Sequence, residues 1–94
     1  MKYYDWDELK NEQLKNERHV CFEDVLRAID DDRILGNVAH PNQRRYPGQR
    51  ILVVEIEEYV FVVPFIEDDE KIFLKTIYPS RKFTRKYIVS RRQS

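Results

Sequence analysis

The sequence predicts an α+β fold in a single domain, residues 1–94. Two N-terminal helices pack on a twisted antiparallel sheet of three to four strands, and a short basic helix or tail ends the chain. Three observations support this prediction. Helical patterning is strongest in the first third of the chain, β-branched and aromatic runs follow residue 50, and the short connections between those runs favour antiparallel pairing. A chain of 94 residues builds one thin hydrophobic core, so a second domain is not expected.

The two helices are predicted from capping and periodicity. Asp7 is a plausible N-cap for a helix that ends at Arg18, and its thin apolar stripe is formed by Leu9 and Leu14. A second helix is predicted over residues 22–29, where apolar residues recur at i, i+3, i+4 and i+7.

The strands follow the helices. A short strand is predicted at Ile34–Leu35, and an irregular loop over residues 36–49, which contains both glycines. Pro64 is expected at an edge or a bulge, because proline has no N–H for a sheet ladder. The three main strands are predicted over residues 50–56, 59–66 and 71–78.

Charge is strongly segregated although the net charge is zero. Residues 55–70 contain seven acidic and no basic side chains, whereas residues 71–94 contain eight basic and no acidic ones. A basic C-terminal quarter is able to bind polyanions while the whole protein stays neutral.

Several classes of protein are disfavoured. Cys21 is the only cysteine, so no intramolecular disulfide is expected. The sequence has no signal-peptide pattern and no apolar run of membrane-spanning length, which predicts a cytoplasmic protein without a membrane partner. It also has no Gly-rich phosphate loop, no paired-cysteine spacing and no Ser-His-Asp order. His19 and His40 lack ligand-spaced partners, so neither a metal nor a cofactor is predicted.

A set of basic and aromatic residues remains as the candidate site. Cations contact phosphates and aromatic rings stack on unpaired bases, which is the chemistry of single-stranded RNA recognition. The candidate RNA-binding residues are Arg44, Arg45, Tyr46, Lys75, Arg85 and Lys86. The candidate catalytic residues are His40, Arg50, Tyr78, Arg81 and Lys82.

Two motifs at opposite ends of the chain are more specific than this composition. The N-terminal motif comprises Trp6-Asp7-Glu8, Lys10-Asn11, Leu14-Lys15 and Val20-Cys21-Phe22-Glu23-Asp24. The C-terminal motif comprises Ile77-Tyr78-Pro79-Ser80-Arg81-Lys82, Thr84 and Tyr87. In this order and separation they resemble the motifs of BrnT-type toxins of type II toxin–antitoxin systems, in the RelE/ParE superfamily. The sequence departs from that pattern at two positions. Arg18-His19 stands where a His-Gly pair is common, so His19 is expected to fill a glycine-type helix cap at some cost in backbone strain. Cys21 stands where the family commonly has a serine N-cap.

The resemblance implies a RelE-like fold and a toxin that cleaves RNA and inhibits translation. It also implies a cognate antitoxin with a ribbon-helix-helix domain, through which alone the toxin would reach operator DNA. When the C-terminal motif of the family is aligned with this sequence, Arg81 is the first choice for an active-site residue. Alternative functions are a non-catalytic toxin of this fold that acts on a protein target, and a co-repressor that works with its antitoxin.

The expected chemistry is metal-free cleavage with the RNA 2′-hydroxyl as nucleophile. Arg81, Lys82 and Arg50 are expected to hold the phosphate, and Arg81→Ala should cost about 2 kcal/mol of transition-state stabilisation. Proton transfer is left open among four candidates: His40, Tyr46, Tyr78 and a lysine.

Overall fold

The computed structural model describes residues 2–90 and confirms the α+β class, with three helices and a six-stranded sheet. The elements are β1 (Tyr3–Asp5), α1 (Glu8–Arg18), α2 (Phe22–Asp30), β2 (Ile34–Ala39), β3 (Arg50–Ile56), β4 (Tyr59–Glu67), β5 (Lys71–Leu74), β6 (Tyr78–Pro79) and α3 (Arg81–Thr84), which continues as a π-helical turn over Arg85–Val89. No helix within residues 2–90 has the length and apolar content needed to cross a membrane.

The sheet differs from the prediction in strand number and direction. Its order is β1-β5-β4-β3-β2, with β6 also paired to β4, and β1 runs parallel to β5 while the other pairs are antiparallel. The prediction of three to four antiparallel strands is therefore wrong, and so is the order, since a strand precedes the helices. A three-residue strand is too short to show alternation in a sequence, and its partner lies far along the chain.

Strand β2 is longer than predicted. Residues 36–39 were expected in the loop, but they pair with β3 through Gly36–Val53, Asn37–Leu52 and the pairs that follow. Glycine and asparagine are poor strand formers, so the local sequence does not indicate a strand at these residues. Their strand conformation is stabilised by pairing with β3. The irregular segment is thus limited to residues 40–49.

The helices cover both faces of the sheet. One face packs against α1 and α2, and the other packs against α3 and its π-helical turn. The first core contains Leu14, Val20, Phe22, Val25, Ala28, Leu52, Val54, Ile56, Val63, Phe65, Leu74 and Ile77. The second core contains Ile51, Val53, Val60, Val62 and Ile88.

Helix α1 begins as predicted. The Asp7 carboxylate accepts hydrogen bonds from the backbone N–H groups of Leu9 (2.9 Å) and Lys10 (3.4 Å). Leu14 is buried, but Leu9 is 82% exposed, so the predicted apolar stripe is wrong at Leu9. Asn11 takes the second inward position instead, three residues before Leu14.

Asn11 joins the two N-terminal helices. Its side chain is fully buried, its Oδ1 accepts from the backbone N–H of Phe22 (2.8 Å), and its Nδ2 donates to Glu23 Oε1 (2.8 Å). The amide donor lowers the pKa of Glu23, since it stabilises the ionised carboxylate. Trp6 stacks on Phe22 with ring centroids 5.5 Å apart, and this contact also fixes the start of α1 against α2.

His19 ends α1 in the left-handed conformation, with φ 56° and ψ 34°, where a glycine-type cap was expected. A side chain with a Cβ costs about 1–2 kcal/mol in this region, whereas glycine adopts it freely.

We predict that His19→Gly raises the free energy of unfolding by about 1 kcal/mol, because relief of this strain exceeds the added freedom of the unfolded chain. Urea denaturation measures the effect as a higher midpoint with an unchanged slope. An unchanged or lower midpoint would show that the His19 conformation carries no net strain.

Two other turns shape the sheet. Glu57 and Glu58 both have positive φ, 51° and 63°, and form the predicted two-residue hairpin turn without glycine. Pro64 lies inside β4, where it pairs with Ile51 on one side. On its other side it falls between the residues that pair with β5 and those that pair with β6, so the sheet has a local gap there.

Candidate functional site

A cleft of about 450 Å³ opens between α1, the loop of residues 40–49 and the segment that leads from β5 into β6. Its lining comprises Lys10, Arg18, His40, Tyr46, Gln49, Pro64, Lys75, Thr76 and Tyr78. Three of these residues are cationic, and none of the described lining residues is acidic. The positive charges therefore have no carboxylate in the cleft to neutralise them, which favours an anionic ligand.

Helix α1 contributes Lys10 and Arg18, which flank the buried Leu14 at intervals of four residues. This spacing places all three side chains along one side of the helix. The Arg18 guanidinium donates to the backbone carbonyl of Ile77, so its direction is fixed. The Lys10 ammonium group has no hydrogen bond or ion pair with any described residue, and it remains available for a ligand.

The loop of residues 40–49 is closed by its own hydrogen bonds. The backbone N–H of His40 donates to the carbonyl of Gln49 (2.9 Å), and Gln43 Nε2 donates to the carbonyls of both residues (2.9 Å each). Gln43 Oε1 accepts from the backbone N–H of Gly48, whose φ of 76° suits glycine. The two ends of the loop are thereby held together beside the cleft.

His40 is held in a defined tautomer. Its Nδ1 accepts from the backbone N–H of Asn42 (3.0 Å), so in the neutral ring the proton is on Nε2. The ring also packs on Tyr46, with centroids 4.5 Å apart, and the Arg45 guanidinium lies 5.5 Å from the Tyr46 ring centroid. His40 Nε2 is therefore a hydrogen-bond donor in this arrangement.

Tyr78 lines the cleft from β6. Burial, together with the neighbouring Tyr46, raises the pKa of the Tyr78 phenol above its ordinary value. Tyr78 is thus a neutral phenol at physiological pH, able to donate a hydrogen bond or a proton.

The structure brings together only part of the candidate set. His40, Tyr46, Lys75 and Tyr78 line the cleft. Arg50 lies elsewhere, since its guanidinium donates to Asn37 Oδ1 and to the Asn37 carbonyl on β2 (3.0 Å each). The remaining candidates are exposed outside the cleft lining: Arg44 and Arg45 in the loop, Arg81 and Lys82 on α3, and Arg85 and Lys86 on the π-helical turn.

Sequence reasoning missed Lys10 and Arg18 as site residues. Both belong to a helix that the sequence predicts as a surface element, and they lie far along the chain from the loop and the tail. The signal that could have found them is their equal spacing on either side of Leu14, which fixes the buried side of the helix.

No three His, Cys, Asp or Glu side chains in the described part of the chain lie together as a possible metal site. The chain was compared with protein-family models, with curated proteins and with solved structures. None of the three comparisons gave a match.

Proposed function

We propose that this protein is the toxin of a type II toxin–antitoxin system and that its cleft binds and cleaves single-stranded RNA. One observation carries the nuclease part of the proposal: three cations, a histidine and two tyrosines converge in one cleft whose described lining has no carboxylate. An RNA strand supplies the matching features, namely phosphates for the cations and unpaired bases for the rings.

Phosphate binding is assigned to Lys10, Arg18 and Lys75. Arg18 is already oriented by the Ile77 carbonyl, so less side-chain freedom is lost when its other N–H groups meet a phosphate. Lys10 belongs to α1, and Lys75 belongs to the segment between β5 and β6. These cations stabilise the additional negative charge that develops on the phosphate in the transition state.

The proposed reaction uses the RNA itself as nucleophile. The 2′-oxygen attacks the adjacent phosphorus, the bond from phosphorus to the 5′-oxygen breaks, and the products are a 2′,3′-cyclic phosphate and a 5′-hydroxyl. The 2′-hydroxyl loses one proton to an acceptor, and the departing 5′-oxygen gains one from a donor. Tyr78 is assigned as the donor to the leaving oxygen, and His40 Nε2–H as a hydrogen-bond donor to the phosphate.

These assignments predict the pH dependence of cleavage. Neither His40 in this tautomer nor neutral Tyr78 accepts the 2′-hydroxyl proton, and the lysines of the cleft act as cations, so the acceptor is hydroxide from the solvent. Because the pKa of Tyr78 is raised, the phenol keeps its proton as the pH increases through the neutral range, while the concentration of the proton acceptor increases. The cleavage rate should therefore rise about tenfold per pH unit between about pH 6 and pH 9. A plateau above pH 7, measured against an enzyme-free control, would instead identify a histidine as the base.

The toxin role and its antitoxin rest on the resemblance of the two terminal motifs. In this proposal a ribbon-helix-helix antitoxin neutralises the ribonuclease and takes it to operator DNA as a complex. Co-expression with the product of the neighbouring gene should then restore growth.

The deciding experiment incubates the purified protein with 5′-labelled single-stranded RNA. Wild type should produce fragments that end in a cyclic phosphate, and the Lys10→Ala/Lys75→Ala double variant should not, which also excludes a contaminating nuclease. Circular dichroism checks that the variant is folded. Growth arrest with intact RNA would overturn the nuclease and favour a toxin that acts on a protein target.

A further inference from the structure

The cleft contains two neutral polar side chains that bind nothing in the structure. Gln49 and Thr76 both line it, and neither the Gln49 carboxamide nor the Thr76 hydroxyl makes a hydrogen bond with any described residue. Both residues are partly buried. These side chains are therefore available to a ligand that enters the cleft.

The backbone of Gln49, in contrast, is firmly held. Its N–H donates to the Tyr46 carbonyl (3.2 Å), and its own carbonyl accepts from His40 N–H and from Gln43 Nε2 (2.9 Å each). Three hydrogen bonds thus fix the base of a side chain whose amide group is unused. A fixed backbone with a free polar end is what recognition of a defined ligand edge requires.

Phosphate binding does not need these two groups. Lys10, Arg18 and Lys75 already provide the positive charge, and a phosphate would use only the donor side of the Gln49 carboxamide and leave its acceptor oxygen without a partner. A carboxamide instead presents a donor and an acceptor side by side, as the edge of a nucleobase does.

The remaining components of a base subsite are present. Tyr78 lines the cleft, is 36% exposed and has no aromatic partner among the described residues, so its ring is accessible to a ligand in the cleft. The volume of about 450 Å³ lies in the range of sites that take small organic ligands, about 300–1,000 Å³, and is sufficient for one nucleotide.

We propose that the cleft holds one unpaired nucleobase of the RNA, stacked on Tyr78 and hydrogen-bonded to the Gln49 carboxamide and the Thr76 hydroxyl, and that Gln49 sets the base preference of the enzyme. This inference rests on the proposed function, which it deepens by assigning a base-reading residue. Gln49 is a specificity residue and takes no part in proton transfer.

The test measures both binding and cleavage on four hexanucleotides that contain only A, C, G or U. Wild type should favour one base about tenfold, since a paired donor and acceptor discriminate to about that extent. Gln49→Ala should reduce the preference to about twofold, and Thr76→Val, which removes only the hydroxyl, should weaken it partly. Gln13→Ala, on the exposed side of α1, is the matched control and should behave as wild type.

The outcomes separate the two proposals. A base preference that is unchanged in Gln49→Ala, or equal use of all four oligonucleotides by wild type, overturns the base-reading inference and leaves RNA cleavage standing. Binding with a Gln49-dependent preference but without cleavage supports the subsite and overturns the nuclease. No binding of any oligonucleotide by folded wild type overturns both.

Discussion

Lys10→Ala is expected to lower the rate of RNA cleavage about 30-fold, which corresponds to about 2 kcal/mol of lost transition-state stabilisation. The Lys10 ammonium group has no ion pair in the described structure and faces a cleft without acidic lining residues, so a phosphate would be its principal partner. Single-turnover cleavage of labelled RNA measures the loss. Because the Lys10 ammonium group makes no described contact within the fold, and its backbone N–H is retained in the variant, the thermal midpoint should match wild type.

Lys15→Ala is the matched control. Lys15 is a lysine of the same helix, it pairs with Glu12 at 3.2 Å, and it lies outside the cleft. Its removal should leave cleavage within about twofold of wild type, since exposed ion pairs contribute little. Equal losses in both variants would show that the overall charge of α1, rather than the cleft, attracts RNA.

The Arg81→Ala variant, measured in the same assay, tests whether the reacting phosphate binds at the C-terminal motif or in the cleft. Arg81 lies on α3 and is exposed outside the cleft lining. A larger loss for Arg81→Ala than for Lys10→Ala would move the reacting phosphate from the cleft to α3.

Asn11→Ala should lower the free energy of unfolding by about 3 kcal/mol. It leaves the buried backbone N–H of Phe22 without an acceptor, removes the donor to Glu23 and opens a small cavity. For a domain of this size, the melting temperature should fall by about 10–20 °C. Asn16→Ala, at an exposed position of the same helix, is the control and should change stability by less than about 0.5 kcal/mol. A similar stability of both variants would contradict the bridging role of Asn11.

The pH dependence of this loss has a definite sign. The pKa of Glu23 is lowered in the folded protein, so its interaction with Asn11 stabilises the fold above the ordinary pKa of a glutamate and is lost as the pH falls through the lowered value. The difference between wild type and Asn11→Ala should therefore narrow in acid. It should not vanish, because the Phe22 N–H needs its acceptor at every pH.

The parts of the fold that local chemistry specifies could be predicted from the sequence. The Asp7 cap, the end of α1 and the hairpin from β3 to β4 follow from helix capping and from runs of β-branched and aromatic residues. Strand β1 and residues 36–39 could not be predicted in this way, since their strand conformation is stabilised by partners far along the chain.

The candidate site was only partly predictable for the same reason. His40, Tyr46, Lys75 and Tyr78 belong to the segments that composition singles out. Lys10 is different. The side chains of its motif neighbours have structural contacts, such as Asp7 at the helix cap and Asn11 between the helices, whereas the Lys10 ammonium group has no such contact in the described part of the chain. Only the fold shows that this lysine faces the same cleft as residues more than sixty positions away.

Pro64 connects the architecture of the sheet with the existence of the cleft. Pro64 has no N–H to donate to the segment between β5 and β6, and the register shifts by one residue there, from the pair Phe65–Leu74 to the pair Val62–Tyr78. With proline there, the chain after Leu74 keeps a single hydrogen bond, from Lys75 N–H to the Pro64 carbonyl (2.8 Å), and then leaves the ladder. Lys75 and Thr76 are thereby released from strand geometry to line the cleft, and the Pro64 ring forms part of its wall. The interruption of the sheet beside Pro64 is thus also the place where the chain leaves room for a ligand.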